Sequence, residues 1–333
     1  DADCLAGKYN FTQGQGVVTN QGELSAKEAG FIALLAPEVR NEGIIRAKLG
    51  SIVLAAGEEI TLTNAASGLT VVINKGSLNA LIENRQLVSA EDGNVFMSAR
   101  AAGSLQRAVI NNTGTIEARG ARLVGGVIRL EANVVKNTGQ LDASIVPTTA
   151  NAQSALGKGG QISVSADEFI NTGSIKANGA QGGEITVNAS QSITNAGSLE
   201  ANGSGGLVTL NTAGWFSQES TGVISAQMLA QTQQDIAAVA GRILLQAQQA
   251  QISGMLNANS STGSGGLIDI GGGSLVLLGA FLNASGETNG GNIKLRVPAP
   301  PIAPAPTAPA SPAPSAPLAP AAPGSLSLNS STL

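Results

Sequence analysis

The side chains that most often perform catalysis or bind metal ions are scarce in this sequence. Histidine is absent and Cys4 is the single cysteine, which excludes a Ser-His-Asp triad, a histidine-bearing metal site and an internal disulfide. Cys4 could form an intermolecular disulfide or act as a ligand, but a small buried hydrophobic side chain is the favoured interpretation. The sequence predicts no cofactor and no metal site.

Carboxylates are the remaining candidates for catalysis. If equivalent positions of successive repeats stack, Glu117 lies above Asp142 and Lys176 lies beside Glu200. Glycoside hydrolysis needs two carboxyl groups on one face, about 5 to 9 Å apart, so a β-helical polysaccharide lyase or glycosidase stays open as an alternative function. We favour a solvated face with a stray ion pair, and we expect no catalytic site.

Glycine-rich segments and aromatic residues are the other candidates for ligand binding. Gly263–Gly266 and Gly271–Gly273 lack the strand-loop-helix unit of a phosphate-binding loop, and we interpret them as turns. Asp269 is the only aspartate placed as calcium-binding glycine-rich repeats require. Trp215 and Phe216 open a strand and could form an exposed platform on which a sugar stacks, although a core position is favoured for both.

The composition excludes several classes of protein. Charged residues make up 12% of the 333 residues, well below the roughly 25% of an average globular protein. The net charge of −4 comes without a basic cluster, so nucleic acid is not expected as a partner. No apolar run is long enough to span a bilayer. Because the chain begins Asp-Ala-Asp without a signal region, we expect it to be a portion of a longer protein.

One phrase, residues 171–193, recurs along the chain and must organise any site. It contains short runs in which apolar and polar residues alternate, as in strands with one buried face. Its first strand reads Gly-x-Leu/Ile-x-Ala, with the initial Gly replaced by Ala in the last copy. The ten copies are Gly22–Ala26, Gly43–Ala47, Gly76–Ala80, Gly114–Ala118, Gly139–Ala143, Gly173–Ala177, Gly197–Ala201, Gly222–Ala226, Gly254–Ala258 and Ala280–Ala284.

A second strand, which begins with Gly and places Ile or Val at its third position, follows each first strand, and a shorter third strand completes the repeat. Fixed recurrence of such a unit indicates a solenoid. The sequence therefore predicts a parallel β-helix with three strands per coil and about ten coils. The second strands are Gly30–Leu34, Gly50–Leu54, Gly93–Met97, Gly126–Leu130, Gly160–Val164, Gly183–Val187, Gly206–Leu210, Gly241–Leu245, Gly266–Ile270 and Gly291–Leu295.

Asparagine precedes the first-strand glycine by two residues in seven coils. In a β-helix this spacing stacks Asn over Asn at one corner, where side-chain amides can bond along the stack. The ladder is predicted to stop at the equivalent positions Ser220, Ile252 and Leu278. The seven predicted members are Asn20, Asn41, Asn74, Asn112, Asn137, Asn171 and Asn195.

Longer coils and the C-terminal region depart from the repeat. Excess residues are expected to leave the tube as loops, with a short helix over 227–240 because that segment is rich in helix formers. Residues 298–323 carry eleven of the thirteen prolines and predict a polyproline-II segment. The predicted loops are 55–72, 81–92 with 101–107, 144–158 and 227–240, and the tail residues singled out for interaction are Pro298, Pro300 and Pro301.

Four phrases in the first third resemble the amino-terminal secretion domain of filamentous-haemagglutinin-like exoproteins of two-partner secretion systems. They are Asp1–Tyr9, Gly30–Gly43 with its Phe-Ile-Ala-Leu-Leu-Ala-Pro run, Leu49–Gly57 and Leu78–Asn84. The resemblance covers about residues 1–120, the C-terminal part of such a domain. Residues 121–297 resemble generic haemagglutinin coils, and 298–333 form a Pro/Ala-rich extended tail.

The resemblance implies a right-handed parallel β-helix, export through an outer-membrane transporter partner, and a secreted location at a bacterial cell surface. The expected function is that of a structural or adhesive protein, a rigid rod that mediates attachment or assembles into surface filaments. Self-association through the rod ends or the tail, and binding of a glycan or a host-cell receptor, are expected partnerships. The stalk of a larger secreted toxin stays open as a further alternative.

Overall fold

The computed structural model describes residues 7–65, 68–120, 124–145, 157–228, 239–297 and 325–329, and in these residues the regular structure is entirely β. The strands, numbered β1 to β29 along the chain, form two parallel sheets and one small antiparallel sheet. Ten coils result, each with three faces, and equivalent strands of successive coils pair in parallel and in register. The predicted parallel β-helix with about ten coils is confirmed.

Face A consists of the short strands that carry the Leu/Ile-x-Ala motif. Its central aliphatic side chains, for example Ile116, Leu141 and Ile175, lie directly over one another and are fully buried. The strands are β3 (Glu23–Ser25), β6 (Ile44–Arg46), β11 (Leu87–Ser89), β14 (Thr115–Glu117), β17 (Gln140–Asp142), β19 (Ser174–Lys176), β21 (Ser198–Glu200), β23 (Val223–Ser225), β25 (Met255–Asn257) and β27 (Phe281–Asn283).

Face B consists of the predicted second strands, and every one starts directly after its glycine. In the first four coils and in the last they are separate strands, and in the coils between, from β18 to β26, each continues around a bend into face C. The strands are β4 (Phe31–Ala36), β7 (Ser51–Ala56), β12 (Asn94–Ala99), β15 (Val127–Glu131), the first halves of β18 (Gln161–Asn171), β20 (Glu184–Asn195), β22 (Leu207–Gln218), β24 (Arg242–Ile252) and β26 (Leu267–Leu278), and β28 (Asn292–Arg296).

Face C completes the tube and ends at the corner that leads back to face A. It carries the second halves of the five long strands after the bend. Its separate strands are β2 (Val17–Asn20), β5 (Glu38–Asn41), β10 (Leu81–Asn84), β13 (Val109–Asn112), β16 (Val134–Asn137) and β29 (Ser325–Asn329).

The third coil is built from residues that the sequence interpretation assigned to a loop. Gly76–Ala80 is not a face A strand; β10 and β11, which lie within the predicted loop 81–92, provide faces C and A instead. Gln86 stands where all other copies but the last have Gly, and Val88 replaces the usual Leu or Ile. Val88 is nevertheless fully buried between Ile45 and Ile116. The tube requires an aliphatic side chain at this position but not the motif's glycine.

The residues displaced from the third coil form a β-hairpin outside the tube. β8 (Glu59–Ala65) and β9 (Gly68–Lys75) pair antiparallel, and β1 (Lys8–Phe11) adds to the edge of β8. Ile60, Leu62 and Ile73 of the hairpin pack on Val53 and Ala55, the outward side chains of β7, and form a second hydrophobic core. The predicted loop 55–72 is therefore a packed element.

Part of the C-terminal tail, residues 325–329, pairs with the tube. β29 pairs in parallel with the second half of β26, with Ser325 opposite Ser274, and so adds a strand to face C beyond the tenth coil. The predicted polyproline-II segment 298–323, most of the predicted loop 144–158 and most of the predicted helix 227–240 lie outside the described residues. In the described part of the chain, no helix is long and apolar enough to cross a membrane.

Candidate functional site

A ladder of asparagines runs along the corner between faces C and A. In each step the side-chain amide Nδ2 donates to Oδ1 of the asparagine in the next coil, and the side chains are buried. Because each Asn is both donor and acceptor, each side chain in the interior of the stack bonds to the asparagine on either side of it. The six steps are Asn20 to Asn41 (2.8 Å), Asn41 to Asn84 (2.8 Å), Asn84 to Asn112 (2.8 Å), Asn112 to Asn137 (2.7 Å), Asn137 to Asn171 (2.8 Å) and Asn171 to Asn195 (2.8 Å).

The structure corrects one member of the predicted ladder. Asn74 lies in the hairpin strand β9, outside the tube, where it donates to Thr61 Oγ1 over 2.7 Å. Asn84 takes its place, because the third coil begins at β10 and not at the hairpin. The sequence prediction missed Asn84, although the alternation Ile82-Glu-Asn84 matches the Asn-ended strands of the other coils and could have identified it.

The ladder ends where the turn lengthens. Gln218 is in register with Asn195, and its side-chain Nε2 donates to the carbonyl oxygens of Gly222 and Met255 over 2.9 and 3.0 Å. Three residues lie between Gln218 and the following Gly222, whereas a single residue lies between Asn195 and Gly197. The longer glutamine side chain therefore reaches across a longer turn. The expected terminal position, Ser220, lies within this turn.

The carboxylates considered for catalysis are neighbours, but both have structural partners. Glu117 and Asp142 are in register on face A. Glu117 accepts a hydrogen bond from Ser89 Oγ over 2.7 Å and pairs with Arg119 at 2.7 Å. Asp142, which is buried, accepts from the backbone N–H of Ser144 over 2.9 Å and thereby fixes the turn after β17.

The second predicted pair is also in register but is bonded elsewhere. Lys176 lies opposite Glu200 on neighbouring strands of face A. Glu200 accepts a hydrogen bond from Asn178 Nδ2 over 3.3 Å. In the described residues, no cluster of three or more Cys, Asp or Glu side chains could hold a metal ion.

Trp215 and Phe216 point to opposite sides of β22. Phe216 is fully buried in the tube, as expected, whereas Trp215 is 41% exposed and the expectation of a core position is wrong for it. Adjacent residues of a strand alternate between its two faces, so only one of the two can face the core. Trp215 is in register with Ser192 of the preceding coil and Gln249 of the following one.

A groove follows the bend between faces B and C, on the outside of the tube. One part, with a volume of about 640 Å³, lies beside the hairpin and reaches from Val71 and Arg100 to Asp167 and Ser190. A second part of about 380 Å³ continues along the coils to Asn211 and Gln246. The two parts share Ser165, Ala166 and Ser190, so they form one continuous groove.

Asp167 is the anchored acidic group of this groove. Its carboxylate accepts hydrogen bonds from Asn133 Nδ2 and Ser190 Oγ, each over 2.7 Å. These two bonds, followed by the nearby positive charge of Arg107, hold the pKa of Asp167 below its usual value, against the opposing effect of burial. Arg107 itself pairs with Glu168 at 2.9 Å.

Sequence reasoning found no signal for the groove, since it depends on which outward side chains share the bend. Of the other residues singled out for interaction, Cys4, Pro298, Pro300 and Pro301 lie outside the described residues. Trp215 alone of that set lies next to the groove.

Comparison with known proteins identifies the fold. The sequence matches no protein-family model, and no curated protein sequence matches it. The crystal structure of the HMW1 secretion domain from Haemophilus influenzae is similar, with a TM-score of 0.52 and 20% sequence identity over 89% of this chain and 68% of that chain. The chain therefore has the fold of a bacterial secretion domain.

Proposed function

We propose that this chain belongs to a secreted exoprotein of a two-partner secretion system and presents a rigid β-helical rod at the bacterial surface for attachment. The observation that carries the proposal is the similarity in fold to the HMW1 secretion domain over 89% of the chain. It agrees with the secretion-domain phrases of the first third, such as Leu49–Gly57, which forms the buried strand β7 and the turn after it.

The architecture of the rod allows the chain to fold progressively as it is exported. Each coil rests on the one before it through parallel pairing, so the tube can grow coil by coil from one end as the chain emerges. The single cysteine leaves no internal disulfide to form during passage. The proposed transporter partner would therefore need to pass only an extended chain.

Secretion assays in a Gram-negative host can test the export step. The gene that encodes this chain would be expressed with and without a candidate outer-membrane transporter from the same genome, and the protein in the medium quantified. We expect release only with the transporter. Equal release without it would overturn the two-partner assignment. Attachment would be measured separately, with beads coated with the purified protein and control beads without it.

We further propose that the rod ends govern self-association. Among the residues that the structure describes, β27 and β28 pair only with strands of the preceding coil, whereas the same edge of face C is covered by β29. An unpaired edge can recruit a strand from another molecule. Truncation after Val297 should expose the edge of β26 and increase the assembled fraction in light scattering, while the full chain stays smaller. An unchanged size distribution would refute this role of the tail.

We also propose that the rod is not an enzyme. The hydrogen bonds and ion pair that engage Glu117 and Asp142 support this proposal, because neither carboxylate is left free to transfer a proton. A panel of polysaccharides incubated with the purified chain should yield no new reducing ends or unsaturated products. Turnover that is lost in Glu117→Gln would instead establish the glycosidase or lyase alternative.

A further inference from the structure

We propose that the groove along the bend between faces B and C binds an uncharged oligosaccharide. Trp215 would provide the stacking surface, and the side-chain amides of Asn188, Asn211 and Gln246 would bond the sugar hydroxyl groups. The inference gives a ligand class to the proposed attachment function and rests on that function for its biological setting. The binding itself can be measured on the purified chain.

The groove arises from the way the long strands turn. In β20 and β22, register pairing is regular up to Ala189 and Thr212, and it resumes at Ser192 and Trp215. The residues between, including Ser190, leave the ladder and make the bend concave. Gly214 allows this, because a Cβ atom there would overlap the carbonyl oxygen of Gln191 in the preceding coil. The concave surface is therefore repeated from coil to coil.

Amide side chains follow one another along this surface. Asn188, Asn211 and Gln246 occupy the same position in three successive coils, so they are spaced at about 4.8 Å. Asn211 Nδ2 donates to Asn188 Oδ1 over 3.0 Å, and both side chains are exposed. Each amide carries two donors and an acceptor with two lone pairs. The row therefore presents mixed donors and acceptors, which is what vicinal hydroxyl groups require.

Trp215 supplies the apolar part of the site. It is 41% exposed and lies two residues beyond the groove-lining Ala213 on the same strand. Gln248 and Gln249 of the next coil are exposed beside it. An indole ring offers a large rigid apolar face together with one N–H donor. This combination suits a pyranose ring, which has an apolar face and polar edges.

The charge of the groove indicates a neutral ligand. The part lined by Asn188, Asn211 and Gln246 contains no charged side chain. The other part is lined by one cation and two anions, Arg100, Glu131 and Asp167. Arg100 donates to the carbonyl oxygen of Ile73 over 2.9 Å, and Asp167 is bonded to Asn133 and Ser190. A polyanion such as a nucleic acid or a sulfated glycan would find no cationic row there.

An extended peptide is also a poorer occupant. β20, β22 and β24 are each paired on both sides, so no free backbone edge is available for strand addition in this region. Neutral glycans remain as the class whose chemistry the lining matches.

The chain's only tryptophan is Trp215, two residues from the groove-lining Ala213, so a ligand that stacks on the indole as proposed should change its fluorescence. Purified full chain would be titrated with oligosaccharides of glucose, mannose, galactose and xylose, with sialylated and sulfated glycans and a Pro/Ala-rich peptide as separate arms. We expect at least one neutral oligosaccharide to change the emission of Trp215 saturably, and calorimetry to give a matching affinity.

Variants distinguish binding at this site from non-specific binding. Trp215→Ala and Asn211→Ala should each weaken binding by about tenfold or more in calorimetry, whereas Phe281→Ala, which removes an exposed aromatic ring on face A, should not. Circular dichroism would verify that each variant keeps its β structure. No binding by any neutral oligosaccharide, binding only to charged glycans or to the peptide, or unchanged affinity in Trp215→Ala would each overturn the proposal.

The two proposals can fail independently. Loss of the groove with intact transporter-dependent secretion would leave the exoprotein assignment in place and remove only the glycan site. If the chain binds glycans but is released without a transporter, the glycan site would stand and the two-partner assignment would be removed.

Discussion

Asn195 and Gln218 occupy equivalent positions in successive coils, yet no hydrogen bond joins their side chains. Asn195 Nδ2 and Gln218 Oε1 are both buried, and neither has a hydrogen-bond partner among the described residues. Every earlier step of the ladder is closed at 2.7 to 2.8 Å. Each asparagine in the interior of the ladder therefore forms hydrogen bonds with two other ladder asparagines, whereas Asn195 at the end forms one.

Substitutions along the ladder should have graded costs. Asn137→Ala removes two buried steps and should lower the free energy of unfolding by about 2–4 kcal/mol, since each lost partner costs about 1–3 kcal/mol. Asn195→Ala removes one step and should cost about half as much. Asn211→Ala, at an exposed amide pair, should stay within about 0.5 kcal/mol. Urea denaturation would measure all three, and equal costs for Asn137 and Asn211 would contradict a stabilising ladder.

The glycines that start face B should not tolerate a side chain. A Cβ atom on Gly183 would overlap the carbonyl oxygen of Gly160 in the preceding coil, whereas one on Gly290 would meet no atom within 4 Å. Because backbone cannot move aside as a flexible side chain can, Gly183→Ala should destabilise by about 3 kcal/mol or more. Gly290→Ala is the control and should be nearly neutral. Thermal melting of both variants would decide, and similar midpoints would refute the close stacking.

The hairpin should depend on its own small core. Leu62 is 2% exposed against β7, while Val72 on the same hairpin is 56% exposed. Leu62→Ala should therefore cost about 2–4 kcal/mol locally, and Val72→Ala should have little effect. Hydrogen exchange should show faster opening of residues 59–75 in Leu62→Ala, with face A unchanged. Uniform acceleration across the tube would mean that the hairpin and the coils unfold as one unit.

Acid should weaken the bend through Asp167. Its pKa is lowered in the folded state by the bonds from Asn133 and Ser190, so the ionised form stabilises the fold. That stabilisation is complete above about pH 4, the usual pKa of an unfolded aspartate, and is lost as the pH falls through the lower folded pKa. Asp167→Asn should be less stable than the parent at pH 7. The difference in free energy of unfolding between the parent and Asp167→Asn should decrease toward pH 3 in urea titrations. A difference that does not change with pH would exclude a contribution from ionised Asp167.

The repeat itself was readable because its constraints are local in each coil. A Leu or Ile followed two residues later by Ala, as in Ile175 and Ala177, places a large and a small side chain inside the tube in every coil, and stacking them needs no knowledge of distant residues. The same holds for Asn two residues before Gly. Fold class, coil number and six of the seven predicted ladder members follow from these patterns.

Only the tertiary structure decided which residues share a surface. Asn74 precedes the predicted first strand Gly76–Ala80, whereas Asn84 precedes β11, which lies within the predicted loop 81–92. The packing of Ile60 and Ile73 on Val53 places the hairpin with Asn74 outside the tube and leaves Asn84 to the ladder. Trp215 lies beside a groove because the strand bends at residues whose register shifts. Sequence periodicity determined the coil, because the coil depends on the spacing of residues within one repeat. The positions of insertions and bends were decided by contacts between coils, and no single repeat contains those contacts.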